Sequence, residues 1–484
     1  MLKGNNHMKQ VYNPYLPLWE YVPDGEPHVF GDRVYLYGSH DAFGGRKFCV
    51  NDYVCWSAPV TDLTDWRYEG VIYRRTQDPR MANGKHELWA PDVVRGKDGR
   101  YYLYYCPDDT IRSIGVAVCD TPAGQYAFYG LVKDEKGGVL GERPGDTIAF
   151  DPGVFMDDDG EIYLYSGNGP RTKKEIGREP KASVVMTLRD DMVTLKTEPR
   201  PLLPTLGQGE GTGFEGHEFF EASSIRKIGG RYYLIYSSFT NHELCYAVSD
   251  RPDGGFRYGG VVVSNCDLFP GREGKPLACY GNNHGGLECI NGQYYIFYHR
   301  ETNRSICCRQ GCAERVTILP DGTIPQVAMT SCGLNGGPLP GKGTYSAAIA
   351  CHLYGKVTPT YSHPLAMMGR HPYITQDGPD YDPDRGGEPP RAYIANGKDG
   401  MVAGFKYFHM TGAATITVRT RGTARGTLFV RTAPDGAPIA QLAVQPSRDW
   451  TAATAALTPT GGDRALYLCY QGRGRLDLLD FTLD

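Results

Sequence analysis

Apolar and polar positions alternate along the first two-thirds of the chain in short tyrosine-rich runs, each opened by a glycine turn. They span Gly31–Tyr37, Gly99–Tyr104, Gly160–Tyr165, Gly230–Tyr236 and Gly292–Tyr298, with 68, 61, 70 and 62 residues between successive glycines. Period-two alternation predicts strands, and repetition at a near-fixed interval predicts an array of equal units. Each unit carries a shorter apolar run before the turn and another after it: Val54–Trp56, Ile114–Val118, Ala182–Met186, Leu244–Val248 and Ile306–Cys308. A further apolar run closes the unit, as at Val261–Val263. Four strands repeated five times predict a five-bladed β-propeller over residues 12–330, whose radial closure leaves only short sheet edges exposed.

The texture changes beyond that point. Residues 331–344 are rich in Gly and Pro and read as a linker. Alternating runs return at Ala414–Arg419, Gly426–Arg431, Ile439–Val444, Ala465–Tyr470 and Leu476–Phe481, which predicts a small β-sandwich over residues 345–484. The fold class is therefore all-β throughout.

In a propeller the first strand of each blade lines the axis, so residues at its start converge on one mouth of the channel. Seven to nine positions before the hairpin glycines stand Asp24, Asp92, Asp151, Glu221 and His284. One such carboxylate would be read as a turn cap; four crowded beside an imidazole repel one another and point to a reactive site. Carboxyls whose surroundings separate their pKa values, one protonated and one ionised, are the material of general acid–base catalysis.

The stretches Val22–Gly31, Trp89–Val93, Phe150–Gly160, Phe220–Lys227 and His284–Gly286 resemble the blade-entry motifs of glycoside hydrolase family 43. The resemblance implies a five-bladed inverting enzyme with Asp24 as general base, Glu221 as general acid and Asp151 as the residue that raises and orients the acid. It further implies an exo-acting enzyme that removes terminal arabinofuranosyl or xylosyl units from plant-derived oligosaccharides. A galactosidase or galactofuranosidase of the same family, or a non-catalytic glycan-binding propeller, are the alternatives. The pattern departs in two places: Gly25 follows the base where a proline is usual, and Ala222–Ser224 follow the acid where Gly-Pro-His is common. The expected substrate contacts are Trp89 as a sugar wall, Asp92 at sugar hydroxyls, His284 beneath the sugar or beside a structural cation, and Arg300 at a hydroxyl or the carboxylates. The C-terminal part resembles a family 6 carbohydrate-binding module, with Tyr373, Tyr381, Tyr407 and Trp450 as candidate sugar contacts.

Charge narrows the partners. A net charge of −4 with no Lys/Arg run argues against nucleic acid and anionic membranes. Fourteen cysteines stand in apolar strands without metal-ligand spacing, and no apolar leader precedes the first blade. Both features fit a cytoplasmic protein whose cysteines are reduced. No cofactor or catalytic metal is expected; a structural calcium near the channel axis is the one cation the acidic mouth invites.

Overall fold

The computed structural model describes residues 7–9, 12–108, 110–269, 274–362 and 369–484. Five antiparallel sheets form the blades of a propeller. Their innermost strands are Glu26–Phe30, Leu88–Arg95, Gly153–Met156, Phe219–Ile228 and Leu287–Ile290. Blades II, III and IV are four-stranded; blade I gains His7–Lys9 on its outer edge, and blade V has three strands among the described residues.

The tyrosine-rich second strands are buried on both faces, and this explains their composition. In the blade II strand Tyr101–Pro107, Tyr101, Leu103 and Tyr105 pack toward blade I, while Tyr102 and Tyr104 pack toward blade III. Equivalent cores lie between III and IV around Tyr165 and Tyr236, between IV and V around Tyr233 and Tyr298, and between V and I around Leu36 and Phe297. The polar alternation expected of these runs gives way here, because a strand with apolar neighbours on both sides has no solvent face for polar residues. Tyrosine fills the space and sends its hydroxyl to an acceptor at the rim, as Tyr104 does to Met192 O at 2.6 Å and Tyr165 to Pro252 O at 2.8 Å.

The segment that enters blade I closes the ring. Asn13 and Tyr15 run beside the outer strand of blade V, where the Tyr15 amide donates to Gly311 O and the Asn13 amide group donates to Ala313 O. Within 331–344, Leu339–Pro340 and Gly343–Ser346 already pair into the two sheets of the C-terminal sandwich. Each of those sheets has six strands, and the layer between them is filled by Phe405, Phe408, Ile416, Leu428, Tyr470 and Phe481. All five runs expected in this region form strands, joined by Tyr373–Gln376, Ala392–Gly397, Met401–His409 and Ser447–Ala456.

Sandwich and propeller share buried polar contacts. Asp267 lies 2.6 Å from His352 and 3.1 Å from Lys406. Arg300 donates to the carbonyls of Ala348 and Ala350 at 2.7 and 3.1 Å.

Candidate active site

A cavity of about 550 Å³ opens at one end of the propeller axis, within the usual size of small-ligand sites, roughly 300–1,000 Å³. Asp24, Trp89, Asp151, Glu221 and His284 line it, as the sequence pattern places them. Their backbone is unusual. Asp24 (φ 55°), Ala90 (φ 35°), Asp151 (φ 44°) and Ala222 (φ 69°) all take left-handed conformations at or beside the entries to the inner strands. Left-handed non-glycine residues are costly and gather where the surrounding structure over-determines them, commonly at functional sites.

Asp24 is buried at the cavity wall and faces a cation. Arg309 donates to it from Nη1 at 2.8 Å, and the same guanidinium holds Asp41 through Nε at 2.9 Å and Nη2 at 3.0 Å. Burial alone would raise the Asp24 pKa, but Arg309, with His284 behind it, outweighs it and holds the carboxyl below its ordinary value. His299 is neutral, pushed down to about 3 by burial and by Arg309. Its Nε2 faces the Asn282 carbonyl at 2.7 Å, so that nitrogen carries the proton and Nδ1 accepts from the Asp24 amide at 3.3 Å.

Glu221 has the opposite environment. Its pKa is raised to about 8, first by burial and next by the Asp151 carboxylate, with Arg171 and His284 pulling the other way. Asn168 donates to its Oε2 at 3.2 Å. Asp151 is itself raised by burial, an effect opposed by His284, whose Nδ1 lies 3.5 Å away. His284 in turn rises to about 9, because Asp151 more than offsets its burial. One carboxyl kept ionised and one kept protonated near neutral pH therefore share a single cavity, the pairing that acid–base hydrolysis requires.

Two expected contacts lie elsewhere. Asp92 does not line the cavity: the strand is bulged between Trp89 and Asp92, and the extra backbone carries Asp92 deeper along the axis. There it takes the amides of Val93 and Val154, both at 2.7 Å, and pairs with His28 at 2.7 Å. Arg300 also points away, onto the sandwich carbonyls, because it pairs across the hairpin with Gln310 while its neighbour Glu301 pairs with Arg309. Alternation thus sends Arg300 and Arg309 to opposite faces, and Arg309 is the cation that meets Asp24. Its signal was an arginine standing inside the apolar stretch Ile306–Cys312.

Among the described residues on the axis, Glu26, His28 and Asp92 place one ligand atom each within 4.8 Å of one another, the donor set a cation would use. Arg226 bridges Glu26 at 2.8 Å and Glu288 at 3.2 Å beside them. Of the sandwich aromatics, Trp450 has Arg421 over its face at 4.2 Å and Tyr373 has Arg304 at 4.6 Å. Tyr381 packs on Trp19 at 4.6 Å, and Tyr407 is 41% exposed.

The blade architecture and the paired carboxyls define a glycan-cleaving propeller, and sequence comparison agrees. Residues 18–324 match the model of glycosyl hydrolases family 43, and the chain belongs to that family. A xylosidase/arabinosidase of Thermoclostridium stercorarium is 51% identical over 98% of this chain and 99% of its own length. A xylosidase/arabinosidase of Bacteroides ovatus is 32% identical over 59% of this chain and 87% of its own. Among solved structures, a family 43 arabinoxylan arabinofuranohydrolase from Bacillus subtilis aligns over 99% of this chain and 98% of its own with TM-score 0.52 at 20% identity, a likeness of fold. A family 43 β-xylosidase/α-arabinofuranosidase from a compost metagenome, solved with xylotriose, covers 66% of this chain and 98% of its own at 26% identity and TM-score 0.52.

Proposed function

We propose that this glycoside hydrolase is an inverting, exo-acting enzyme that releases terminal L-arabinofuranosyl or D-xylosyl units from plant-derived oligosaccharides. The observation that carries the reading is the opposed titration of Asp24 and Glu221 within one cavity. Asp24, kept anionic by Arg309, takes a proton from water as that water attacks the anomeric carbon. Glu221, kept neutral by burial and Asp151, delivers its proton to the departing glycosidic oxygen. Trp89, flanked edge-on by Phe48 and Phe150, offers an apolar wall to the sugar. Asp151 and His284 form an ion pair that fixes the acid's surroundings. The pentose assignment draws on the 51%-identical relative, a xylosidase/arabinosidase.

Two carboxyls suffice for these steps, so the reaction asks for no cofactor. A structural calcium would sit against Glu26, His28 and Asp92, below the reacting groups.

A panel of nitrophenyl glycosides tests the sugar, with α-L-arabinofuranoside and β-D-xyloside expected to be cleaved and β-D-galactofuranoside as the alternative. Proton NMR at early times tests the stereochemistry: the first product should carry the inverted anomer, and a retained anomer overturns the base assignment. Glu221→Gln should lose activity by orders of magnitude on a disaccharide while keeping more on an activated aryl glycoside; equal loss on both would point to another acid.

A further inference from the structure

The cavity is not built by the propeller alone. Tyr361 lines it together with Glu221 and Arg171, although it lies between the sandwich strands His352–Tyr354 and Tyr373–Gln376. A parallel bridge to Tyr280 fixes its backbone: the Tyr280 amide donates to Thr360 O at 3.3 Å and the Ser362 amide donates to Tyr280 O at 2.6 Å. Its ring stands edge-on to Tyr280 at 6.1 Å, and Tyr280 stands edge-on to His242 at 5.5 Å. The ring is thus held by backbone and by aromatic packing, while part of it stays open to the cavity. Among the described residues its hydroxyl makes no hydrogen bond to the protein.

The side of the cavity matters. Among its charged neighbours Tyr361 feels Arg171 most, then Glu301 and Glu221. Arg309, the partner of Asp24, stacks on Phe48 at 4.8 Å. Arg171 lies over Phe220, next to the acid, with its guanidinium carbon 5.0 Å from the ring centre. An acid that protonates the leaving oxygen stands beside the departing group, so the surfaces flanking it on the side away from the base meet that group.

We propose that Tyr361 is a specificity-determining residue: with Arg171 it forms the subsite for the sugar unit that leaves, and the sandwich thereby sets which glycosidic linkage is cut. A tyrosine ring offers a face to the C–H side of a pyranose or furanose and a hydroxyl to its oxygens. The inference rests on Glu221 being the acid.

The test compares Tyr361→Ala and Tyr361→Phe on two substrates of the same pentose. One is a pentosyl disaccharide, which fills the leaving-group subsite. The other is the pentosyl fluoride, whose leaving group is a single atom and needs no protonation. Tyr361→Ala should lower kcat/KM on the disaccharide by about tenfold, mostly through KM, with the fluoride changed by less than about twofold. Tyr361→Phe should retain most of the disaccharide activity, and the basic limb of the pH–rate profile should stay where it is in both variants. Equal loss on both substrates, a displaced basic limb, or no loss at all would each overturn the proposal. Glu221→Gln on the same two substrates separates the two readings: if it spares the disaccharide, the acid assignment has failed rather than the subsite.

Discussion

Replacing Asp151 with Asn removes one negative charge from beside the acid and leaves the shape of the cavity nearly unchanged. Glu221 stands at about 8, and burial, the larger cause, persists in the variant. Two unit charges about 6 Å apart at an effective dielectric of about 20 interact by roughly 3 kcal/mol, or about two pH units. Part of that is returned. His284 is held protonated chiefly by Asp151, and as it loses its proton the acid loses a neighbouring cation that favoured ionisation. The net expectation is a fall of about one unit in the acid's pKa, with Arg171, Asp24 and Asn168 still in place around it. The sign is fixed: the acid works protonated, so a lower pKa means activity is lost earlier as pH rises, and the basic limb of kcat/KM moves down. The assay is kcat/KM from about pH 4 to 10 on a disaccharide, whose sugar leaving group needs the proton, following the released pentose. An unmoved or raised basic limb in a variant that melts with the parent refutes like-charge repulsion as the tuning force.

Other outcomes follow from the same geometry. Arg309→Met leaves Asp24 and Asp41 buried without their shared cation and should cost about 3–5 kcal/mol in chemical denaturation together with most of kcat; a variant as stable as the parent would remove Arg309 from its structural place. Asp92→Asn should lower the melting temperature with KM nearly unchanged, since Asp92 serves Val93, Val154 and His28; a raised KM with an unaltered melt would return it to the sugar. Asp267, although buried, is held well below the usual carboxylate range by His352 and Lys406. Its stabilisation is present above about pH 4 and fades as pH falls, so the Tm difference between parent and Asp267→Asn should shrink on acidification. A pH-independent difference would argue against the ion network.

Periodicity exposed the blades because strands packed on both faces repeat the same aromatic content five times. It also exposed the mouth, because equal positions in equal units converge on the axis. Its failures were local. Counting back to a hairpin glycine cannot see the bulge before Asp92, which shifts register without altering composition. Nor does it tell Arg300 from Arg309, nine residues apart on one hairpin, since the face each takes depends on where the turn falls. Tyr361 was invisible for a different reason: it reaches the cavity from a part of the chain whose own pattern speaks only of a sandwich.

The base takes its partners from across the seam of the ring. Asp24 enters on blade I, whereas Arg309 and His299 belong to blade V, nearly 300 residues later in the chain. The longest-range contacts of a propeller carry the largest loop-closure cost and are expected to form last. Hydrolysis therefore requires circular completion: a refolding molecule with four good blades and a loose fifth lacks Arg309 beside its base and His284 beside its acid. Recovery of activity during refolding would then time the final zipping of the seam, in step with the fluorescence of Trp56 and Trp66 in the core between blades V and I and behind the far-ultraviolet circular dichroism of the strands.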